Sequence, residues 1–554
     1  MEKPWLKHYE SHVPHEIEPK FENLIALMEN AFEKYKDRQA FACMGKSLTF
    51  RDMDKLSKEM AAYLQTVLGL QKGDRVAIMM PNILQYPIAL LGALRAGLVV
   101  VNVNPLYTAR ELEHQLNDSQ STAIIIVENF AHVLQEVISN TQVKKVVVTG
   151  LGDQLGLLKG NLVNFVVRHV KKMVPPWQLP GAVTFNRALA EGSVETLRKP
   201  AVRADDLAFL QYTGGTTGVS KGAMLSHRNM TTNIAQASVW IEELLQAPDN
   251  IIMTPLPLYH IFSLTANLFT FMNAGALGVL ITNPRDLDGF IKEMKNYPFT
   301  AFTGVNTLFN GLVNHPGFRE VDFSSLRVTL GGGMAVTKTV ADQWKAITGC
   351  TLTQAYGLTE TSPAATINPF NIESFNGSIG LPISSTEVSI RSDEGAGVSP
   401  GDAGEIWIRG PQVMQGYWKR EEETRKVITE DGWFKSGDIG VMDHDGFITI
   451  VDRKKDMILV SGFNVYPNEI DDVVSGHPGI LEAAAVGVPD EKSGEAVKLY
   501  VVKKDDNLTE DSVIAYCRDN LTGYKVPKHV EFREDLPKTN VGKILRRELR
   551  SDAG

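Results

Sequence analysis

Residues 212–222 read Tyr-Thr-Gly-Gly-Thr-Thr-Gly-Val-Ser-Lys-Gly. The glycines leave room for backbone N–H groups to point at an anion, the hydroxyls add donors, and Lys221 adds a positive charge. Residues 207–211 before them, Leu-Ala-Phe-Leu-Gln, have the apolar pattern of a buried strand. A strand that runs into such a loop indicates a phosphate cradle, and a polar surface turn is the alternative. The loop differs from a Walker A motif, which ends in Gly-Lys-Ser/Thr, because Lys221 precedes Gly222.

The composition indicates a globular protein with more than one domain. The chain has 554 residues, 43% of them hydrophobic and 22% charged, and this length exceeds what one core accommodates. A formal net charge of −9 argues against nucleic acid as a partner. The three cysteines are far apart, which disfavours a disulfide framework or a zinc site and favours a reducing, cytoplasmic location. Residues 1–10 lack the apolar core of a signal peptide, and the apolar run 87–103 contains Arg95, so we expect no membrane span.

Short runs rich in β-branched residues alternate with helical patterns in the first part of the chain. The runs lie at 75–80, 98–103, 123–127 and 145–149. Strands that are separated by helices predict parallel, doubly wound sheets. The expected fold class is therefore α/β.

The segment 157–177 is basic within an acidic protein. On a helix, Asn161, Asn164, Arg168 and Lys171 fall on one stripe, and the apolar side chains Leu158, Leu162, Phe165, Val166 and Met173 fall on the other. One interpretation is a helix that docks on the anionic inner surface of a membrane. The alternative, which is the more common case, is a helix packed on the domain with a solvated basic face.

Three later segments place chemically useful residues at strand ends. In residues 251–262 a strand ends near His260, at a position where α/β proteins bind ligands, although a lone histidine there is more often structural. Residues 328–334 run from a strand into three glycines, which let a flat group approach the backbone. Residues 353–360 combine an aromatic side chain with hydroxyl and carboxylate oxygens, which suit base stacking and a hard cation such as Mg²⁺.

The last part of the sequence has a different texture. Asp445-Gly446 predicts a hairpin turn, and Thr509 predicts a helix start. Residues 452–456 are five consecutive charges, so we predict an exposed connector there, with domains at 1–451 and 457–554. The loop 536–543 presents Lys538 and Lys543, for which a merely solvated charged tail is the alternative.

Five motifs occur in the order found in the adenylate-forming superfamily, which contains acyl-CoA synthetases, firefly-type luciferases and the adenylation domains of peptide synthetases. They are residues 212–222, 356–360, 436–438, 452–453 and 537–543. Along essentially its whole length the chain resembles bacterial long-chain fatty acyl-CoA synthetases. This resemblance implies a large N-terminal domain of doubly wound sheets plus a small β-barrel-like subdomain. It also implies a small, mobile α+β C-terminal lid.

The resemblance implies a role for each matching residue. The triphosphate would lie on Thr213, Gly214, Gly215, Thr216, Thr217, Gly218 and Lys221, with Thr213 and Glu360 on Mg²⁺. The adenine slot would be lined by Gly333, Gln354, Ala355 and Tyr356, Gly357 would also belong to the ATP/AMP-binding residues, and Thr359 would contact the α-phosphate. Asp438 and Arg453 would bind the ribose. Lys543 would be the mobile catalytic lysine, with His260 near the reacting carboxylate. The pantetheine of CoA would meet Ser461, Gly462 and Phe463 after the lid has turned about Asp452. Many relatives have Gly in place of Ala355, which leaves the shape of the slot open.

The implied activity is the ATP-dependent conversion of a long-chain fatty acid and CoA, through an acyl adenylate, to acyl-CoA, AMP and pyrophosphate. This step would feed fatty acid uptake and β-oxidation. The alternatives are a fatty acyl-AMP ligase, another carboxylate–CoA ligase, or an ATP-binding protein without synthetase activity. The uninterrupted sequence 451–456 favours CoA, because acyl-AMP ligases typically carry an insertion near the hinge. Acyl chain length and the formation of a homodimer stay open.

Overall fold

The computed structural model describes residues 3–213, 220–245, 249–461, 463–490, 492–539 and 542–552. Six residues that the sequence assigns to the site lie outside this part of the chain: Gly214, Gly215, Thr216, Thr217, Gly218 and Gly462.

Two mostly parallel sheets, with the helices that cover them, form most of the chain before residue 383. In the first sheet all neighbouring strands are parallel except the last pair, in the order Val183–Thr184, Lys145–Thr149, Ala123–Val127, Arg75–Met79, Val99–Asn102, Leu207–Thr213 and Lys221–Ser226. The second sheet has the order Leu381–Pro382, Ala364–Ile367, Leu352–Gly357, Val328–Gly331, Ala301–Gly304, Ile251–Thr254, Leu277–Leu280, Gln39–Cys43 and Lys46–Thr49. Its strands from Leu352–Gly357 to Gln39–Cys43 are parallel, and the remaining pairs are antiparallel.

Two smaller sheets follow. One is an antiparallel meander of Glu387–Arg391, Ala403–Arg409, Phe434–Met442 and Ile448–Arg453. Its last connection contains Asp445 and Gly446, and Gly446 has a φ of +90°, which confirms the predicted hairpin. The other sheet has the order Phe463–Val465, Ile458–Val460, Gly494–Lys503 and Ile480–Asp490, and His529–Arg533 pairs in parallel with Gly494–Lys503.

Helices cover the sheets. The α-helices before residue 452 are Leu24–Lys34, Phe50–Ala62, Gln85–Arg95, Ala109–Ser119, Ala131–Val137, Leu157–Phe165, Phe185–Gly192, His227–Ile241, Ile261–Ser263, Phe271–Asn273, Leu287–Met294, Asn306–Asn314, Lys338–Thr348 and Glu421–Val427. Those after it are Pro467–Ser475, Glu510–Asn520 and Arg546–Ser551. π-Helical turns occur at Tyr63–Val67, Val166–Val170 and Leu264–Thr270. Short 3₁₀ turns occur at Pro4–His8, Glu128–Phe130, Ile138–Asn140, Glu243–Leu245, Pro316–Glu320, Thr359–Thr361 and Gly523–Lys525. The Thr509 hydroxyl accepts from Ser512 N, which confirms the predicted helix start.

The burial of these elements follows from their composition. Every residue of Val99–Asn102 and Ala123–Val127 is buried, as expected for parallel strands that are covered on both faces. Every residue of the helix Gln85–Arg95 is also buried. At its end, the buried Arg95 guanidinium donates to Asp54 Oδ1 at 2.5 Å. The α/β class and the doubly wound sheets predicted from the sequence are confirmed.

The apolar core divides at the predicted connector. Among the described residues, the clusters of buried apolar side chains lie either entirely before residue 452 or entirely after residue 457. We call residues up to 451 the large domain and residues from 457 the small domain. The contacts between them are therefore mainly polar.

The predicted exposure of residues 452–456 is wrong. Asp452 is fully buried, and of the five residues Lys454 alone is exposed, while the other three are half-buried. Asp452 Oδ2 accepts from Asn468 N at 2.9 Å, and its Oδ1 lies 4.0 Å from the guanidinium of Arg546. Charged residues can be buried in this way because groups far along the chain supply the opposite charge and the donors.

For the segment 157–177, the interpretation of a helix that packs its apolar stripe on the domain and leaves its basic stripe in solvent is also wrong. The helix has the opposite orientation in the structure. Its polar and small side chains face the protein: Asn164 accepts from Gly152 N at 2.7 Å, and Arg168 pairs with the buried Glu128 at 2.8 Å. Its large apolar side chains face solvent, with Leu157, Leu158, Leu162, Phe165, Val170 and Met173 all more than half exposed. Within the part of the chain that the structure describes, no helix has both the length and the apolar character needed to cross a bilayer.

Candidate active site

A cleft of about 3190 Å³ lies between the two domains and is lined by both. It brings together most of the described residues that the sequence assigned to the site: Thr213, Lys221, His260, Gly333, Gln354, Ala355, Tyr356, Gly357, Thr359, Glu360, Asp438, Arg453 and Lys543. These residues come from the ends of strands in three sheets and from the C-terminal loop.

Asp438 and Arg453 form one wall of the cleft. They are Cα partners on adjacent strands, and they form an ion pair in which Arg453 Nε lies 2.8 Å from Asp438 Oδ1. The other oxygen, Oδ2, accepts from the hydroxyl of Tyr356 at 2.6 Å. The nearby Asp438 charge raises the pKa of Arg453, so the guanidinium stays charged. Each carboxylate oxygen of Asp438 keeps further lone pairs that can accept from a ligand hydroxyl.

The slot beside this wall is shaped mainly by backbone. Gly333 has a φ of +78°, a conformation that favours glycine. The Gln354 amide is buried and already used, because it donates to Ser378 O at 3.0 Å and accepts from Val336 N at 3.1 Å. Gln354 therefore fixes two loops at the slot and has little hydrogen-bonding capacity left for a ligand. Tyr356 presents an aromatic ring there.

Lys221 does not stand free at the phosphate loop. It forms an ion pair with Glu423, a residue of the helix Glu421–Val427, and its ammonium lies 5.1 Å from the centre of the Tyr417 ring. The Lys221 hydrogen bond lowers the pKa of Glu423 to about 2. An anion that binds Lys221 must therefore displace a permanently charged carboxylate.

Glu360 is a second buried carboxylate of the cleft, beside Asp438. Its Oε1 accepts from the Tyr417 hydroxyl at 2.7 Å, and burial raises its pKa while that hydrogen bond opposes the rise. The turn Thr359–Thr361, which carries Glu360, packs against the strand Leu207–Thr213, and the last residue of that strand, Thr213, has a hydroxyl side chain. A carboxylate and a hydroxyl on adjoining elements form an all-oxygen donor set, which fits a hard divalent cation such as Mg²⁺.

His260 also lines the cleft, and a chain of buried polar side chains connects its loop to the strand Leu207–Thr213. The Tyr86 hydroxyl lies 2.8 Å from both Asn102 Oδ1 and Leu258 O, so its single proton is shared between the two acceptors. Asn102 donates to Gln211 Oε1, and Gln211 donates to Tyr259 O. Loss of hydration, with a smaller contribution from Lys543, lowers the pKa of His260 to about 4, so the ring is neutral near pH 7. Because its Nδ1 accepts from Phe262 N at 3.3 Å, the ring carries its proton on Nε2.

Lys543 enters the cleft from the small domain. Loss of hydration, followed by repulsion from Arg453, lowers the pKa of its ammonium to about 8. The next helix, Arg546–Ser551, contacts the connector 452–456. Arg546 lies 4.0 Å from Asp452, and Arg550 donates to Lys455 O at 3.3 Å and to Asp456 O at 2.9 Å. The loop that carries Lys543 is thereby linked to the connector between the domains.

Two predicted residues are not brought to the cleft. Ser461 and Phe463 do not line it, and the exposed Phe463 ring stacks on Tyr524 with 4.9 Å between ring centres.

Sequence reasoning missed Tyr417, Glu423 and Lys455. Burial lowers the pKa of Lys455 to about 8, and its buried Nζ has no hydrogen-bond partner among the described residues. Lys455 lay within the charged run already assigned to the hinge, so the run itself was its signal. Tyr417 and Glu423 carried none, because they reach the cleft only through long-range packing.

Two family models match this chain. A family model described as AMP-binding enzyme matches residues 28–418, and one described as AMP-binding enzyme C-terminal domain matches residues 469–543. The chain is 58% identical to the long-chain-fatty-acid–CoA ligase of Salmonella typhimurium over 100% of its own length and 99% of that protein. It is 57% identical to the ligase of the same name from Escherichia coli O157:H7, with the same coverage. Among solved structures, ATP-bound MatB from Rhodopseudomonas palustris is similar with a TM-score of 0.82 and 27% identity, covering 96% of this chain and 99% of that one.

The ion pair between Lys221 and Glu423 predicts that Glu423→Gln strengthens anion binding at the cleft. We expect the affinity for inorganic tripolyphosphate, measured by titration calorimetry, to rise about two- to fivefold, since an exposed ion pair has a modest strength. The matched control is Glu422→Gln on the same helix, which removes the same charge without a partner at Lys221. Equal effects of the two substitutions would show a general charge effect and contradict the competition.

Proposed function

This chain belongs to the family of AMP-binding enzymes, and on that premise we propose that it activates long-chain fatty acids to acyl-CoA. ATP and the fatty acid would give an acyl adenylate and pyrophosphate, and the thiol of CoA would then displace AMP. The names of the two full-length bacterial relatives support this substrate class. We further propose that the product feeds fatty acid uptake and β-oxidation in the cytoplasm.

The position of Lys543 carries this proposal. A lysine from the small domain reaches a cleft whose other walls hold an aromatic slot, a buried Asp–Arg pair and the end of the glycine-rich loop. A positive charge close to both Arg453 and the neutral His260 suits a reaction in which one anion attacks another.

In the first step a carboxylate oxygen of the fatty acid attacks the α-phosphorus, and the bond from that phosphorus to the bridging oxygen of pyrophosphate breaks. Negative charge then spreads over the oxygens of the transferred group. Lys543 would neutralise this charge, and Lys221 would hold the leaving phosphates once Glu423 is displaced. His260, neutral with its proton on Nε2, would donate to the carboxylate without adding charge.

Thr213 and Glu360 would hold Mg²⁺ together with oxygens of the phosphates. The ion, when bound, supplies positive charge to the phosphates. The contribution of this chain's own residues is to fix Glu360, because the Tyr417 hydroxyl occupies one of its oxygens and leaves the other for the cation.

The nucleoside would lie against Tyr356, with its ribose hydroxyls donating to Asp438. The hydroxyl of Tyr356 is held by the same carboxylate, so the aromatic slot and the ribose site are one rigid unit. Thr359 and Gly357, which lie at the mouth of this slot, would contact the α-phosphate side.

The second step requires Lys543 to leave. Rotation of the small domain about Asp452 would withdraw it and bring Ser461, Gly462 and Phe463 toward the pantetheine. The mainly polar contacts between the domains support such a rotation, since interfaces of this kind permit relative motion. The uninterrupted connector 451–456 supports CoA rather than a carrier protein as the acceptor.

We also propose that the exposed apolar face of residues 157–173 docks on an anionic membrane surface. Six large apolar side chains point into solvent there, and the cations Lys171 and Lys172 border them. Apolar side chains surrounded by lysines are the pattern of interfacial helices, and a fatty acid substrate resides in membranes. Since the helix is fixed through Asn164 and Arg168, the apolar face is free to insert.

The lowered pKa of Lys543 predicts a pH dependence. Its charge is present below about pH 8 and is lost as the pH rises through that value, so kcat/KM for ATP should fall about tenfold per pH unit above it. Lys543→Arg should retain reduced activity and lose this alkaline fall, because arginine stays protonated. The control is Lys455→Arg, which replaces the other lysine whose pKa is about 8 and should keep the fall. A wild-type profile that stays flat well above pH 8 would contradict the role of Lys543.

Lys543→Ala should separate the two half-reactions. Release of pyrophosphate from ATP and palmitate should drop by at least about a hundredfold, the loss expected when a charge aimed at the transition state is removed. Formation of acyl-CoA from supplied palmitoyl-AMP should persist. Equal loss of both would reject the assignment. In the wild type, pyrophosphate release across acids from acetate to stearate, with and without CoA, tests the long-chain substrate class, and a preference for short acids would overturn it.

The docking proposal predicts that polar replacements on the exposed face abolish membrane binding. In Leu158→Asn/Leu162→Asn/Phe165→Ser, binding to phosphatidylglycerol vesicles in co-sedimentation should fall at least about tenfold, because three apolar insertions are lost. Activity on soluble short-chain acids should not change. Arg168 is left intact, since its loss would strand the buried Glu128. The control is Val194→Asn, which changes an exposed apolar residue outside the segment. Unchanged vesicle binding of the triple variant would reject the proposal.

A further inference from the structure

The helix Asn306–Asn314 has two faces with different partners. Phe309, Leu312 and Val313 are buried in the core of the large domain, so the helix is held rigidly. Thr307, Asn310 and Asn314 follow one another at spacings of three and four, which places them on a single stripe. This stripe faces the small domain.

Each residue of the stripe makes a hydrogen bond to a different segment of the small domain. Thr307 Oγ1 donates to Gly542 O at 2.9 Å, and Asn310 Nδ2 donates to Leu481 O at 2.8 Å. Asn314 Oδ1 accepts from Lys504 Nζ at 2.7 Å. This stripe of the helix therefore forms a polar contact surface for the small domain.

Thr307 differs from the other two because its partner is adjacent to Lys543 in the chain. Gly542 has a φ of +82°, and a Cβ at that position would lie 2.6 Å from Thr307 Oγ1, so the Thr307 side chain lies directly against the Gly542 backbone. The loop is closed on itself at the same place, since Lys543 N donates to Thr539 Oγ1 at 3.0 Å and Thr539 N donates to Lys543 O at 2.7 Å. Fixing the Gly542 carbonyl thus fixes the start of the Lys543 side chain.

We propose that Thr307 is a positioning residue for the adenylation step: its hydroxyl holds the Gly542 carbonyl and thereby sets the Lys543 ammonium in the cleft. This inference rests on the function proposed above. The bond joins the two domains in the arrangement that places Lys543 in the cleft, and it breaks when the small domain turns away. Thr307 therefore serves the first half-reaction and is idle in the second.

The test compares Thr307→Val, which keeps the shape of the side chain and removes the hydroxyl, with Thr307→Ser, which keeps the hydroxyl. In Thr307→Val the single-turnover rate of pyrophosphate release from ATP and palmitate should fall about five- to tenfold, as expected for one neutral hydrogen bond. KM for ATP should stay within about twofold, because the nucleotide contacts are untouched. The rate of acyl-CoA formation from supplied palmitoyl-AMP should not change, and Thr307→Ser should restore the first rate.

Gly542→Ala is the second variant. Its added Cβ would press on Thr307 and would strain a left-handed backbone, so we expect a larger loss confined to the same half-reaction. The melting temperature of each variant is measured alongside.

An unchanged first rate in Thr307→Val overturns the proposal, and so does an equal loss in both half-reactions, which would indicate general destabilisation. Failure of Thr307→Ser to restore the rate also overturns it. A wild-type protein that releases no pyrophosphate with any carboxylate would instead refute the proposed function, so the two failures are distinguishable.

Discussion

The exclusion of water from charged groups at the domain cleft governs this structure. Asp438, Glu360 and Lys543 all line a space from which much of their hydration has been removed, and charges in such a space interact far more strongly than in bulk water. Each needs a nearby partner to stay in place. Asp438 has Arg453 and the Tyr356 hydroxyl, and Glu360 has the Tyr417 hydroxyl. Loss of hydration, with a smaller contribution from the nearby Arg453, lowers the pKa of Lys543, so its ammonium gains stability when an anionic ligand binds.

The same physics explains why Lys543 and the connector 452–456 belong to one assembly. Asp452 is buried and Asp471 is half-buried, and loss of hydration raises the pKa of Asp471 to about 6 although Arg546 opposes the rise. Arg546 can approach both only if the helix that follows Lys543 lies against the hinge. A change at the hinge is therefore a change in the position of Lys543.

Local pattern was sufficient for the elements whose burial depends on their own sequence. The run Ala123–Val127 is apolar throughout, and it was therefore predicted correctly as a buried strand. The residues that meet at the cleft were identified from the order of three motifs: the glycine-rich loop, the segment 356–360 and the last lysine. Pattern failed where a distant partner decides the outcome. Asp452 looked exposed because Arg546 and Asn468, which bury it, lie far along the chain. The apolar side of the helix Leu157–Phe165 was expected to face the protein, because the sequence does not show that Asn164 accepts from Gly152 N and that Arg168 pairs with Glu128. Tyr417 reaches Glu360 through a bridge to Ala223, which only tertiary pairing creates.

The two chemical steps that we propose for one cleft restrict how the domains can be joined. An apolar interface would hold the small domain firmly, at about 25 cal/mol for each Å² buried, and would oppose its departure. The described chain instead keeps its apolar clusters within each domain and joins them by hydrogen bonds to backbone carbonyls at Gly542 and Leu481. Each such bond contributes only about 1 kcal/mol because water replaces it on separation, yet its direction is specific. Lys543 can thus be placed accurately for the first step and released at little cost for the second, which an interface selected for stability alone would not allow.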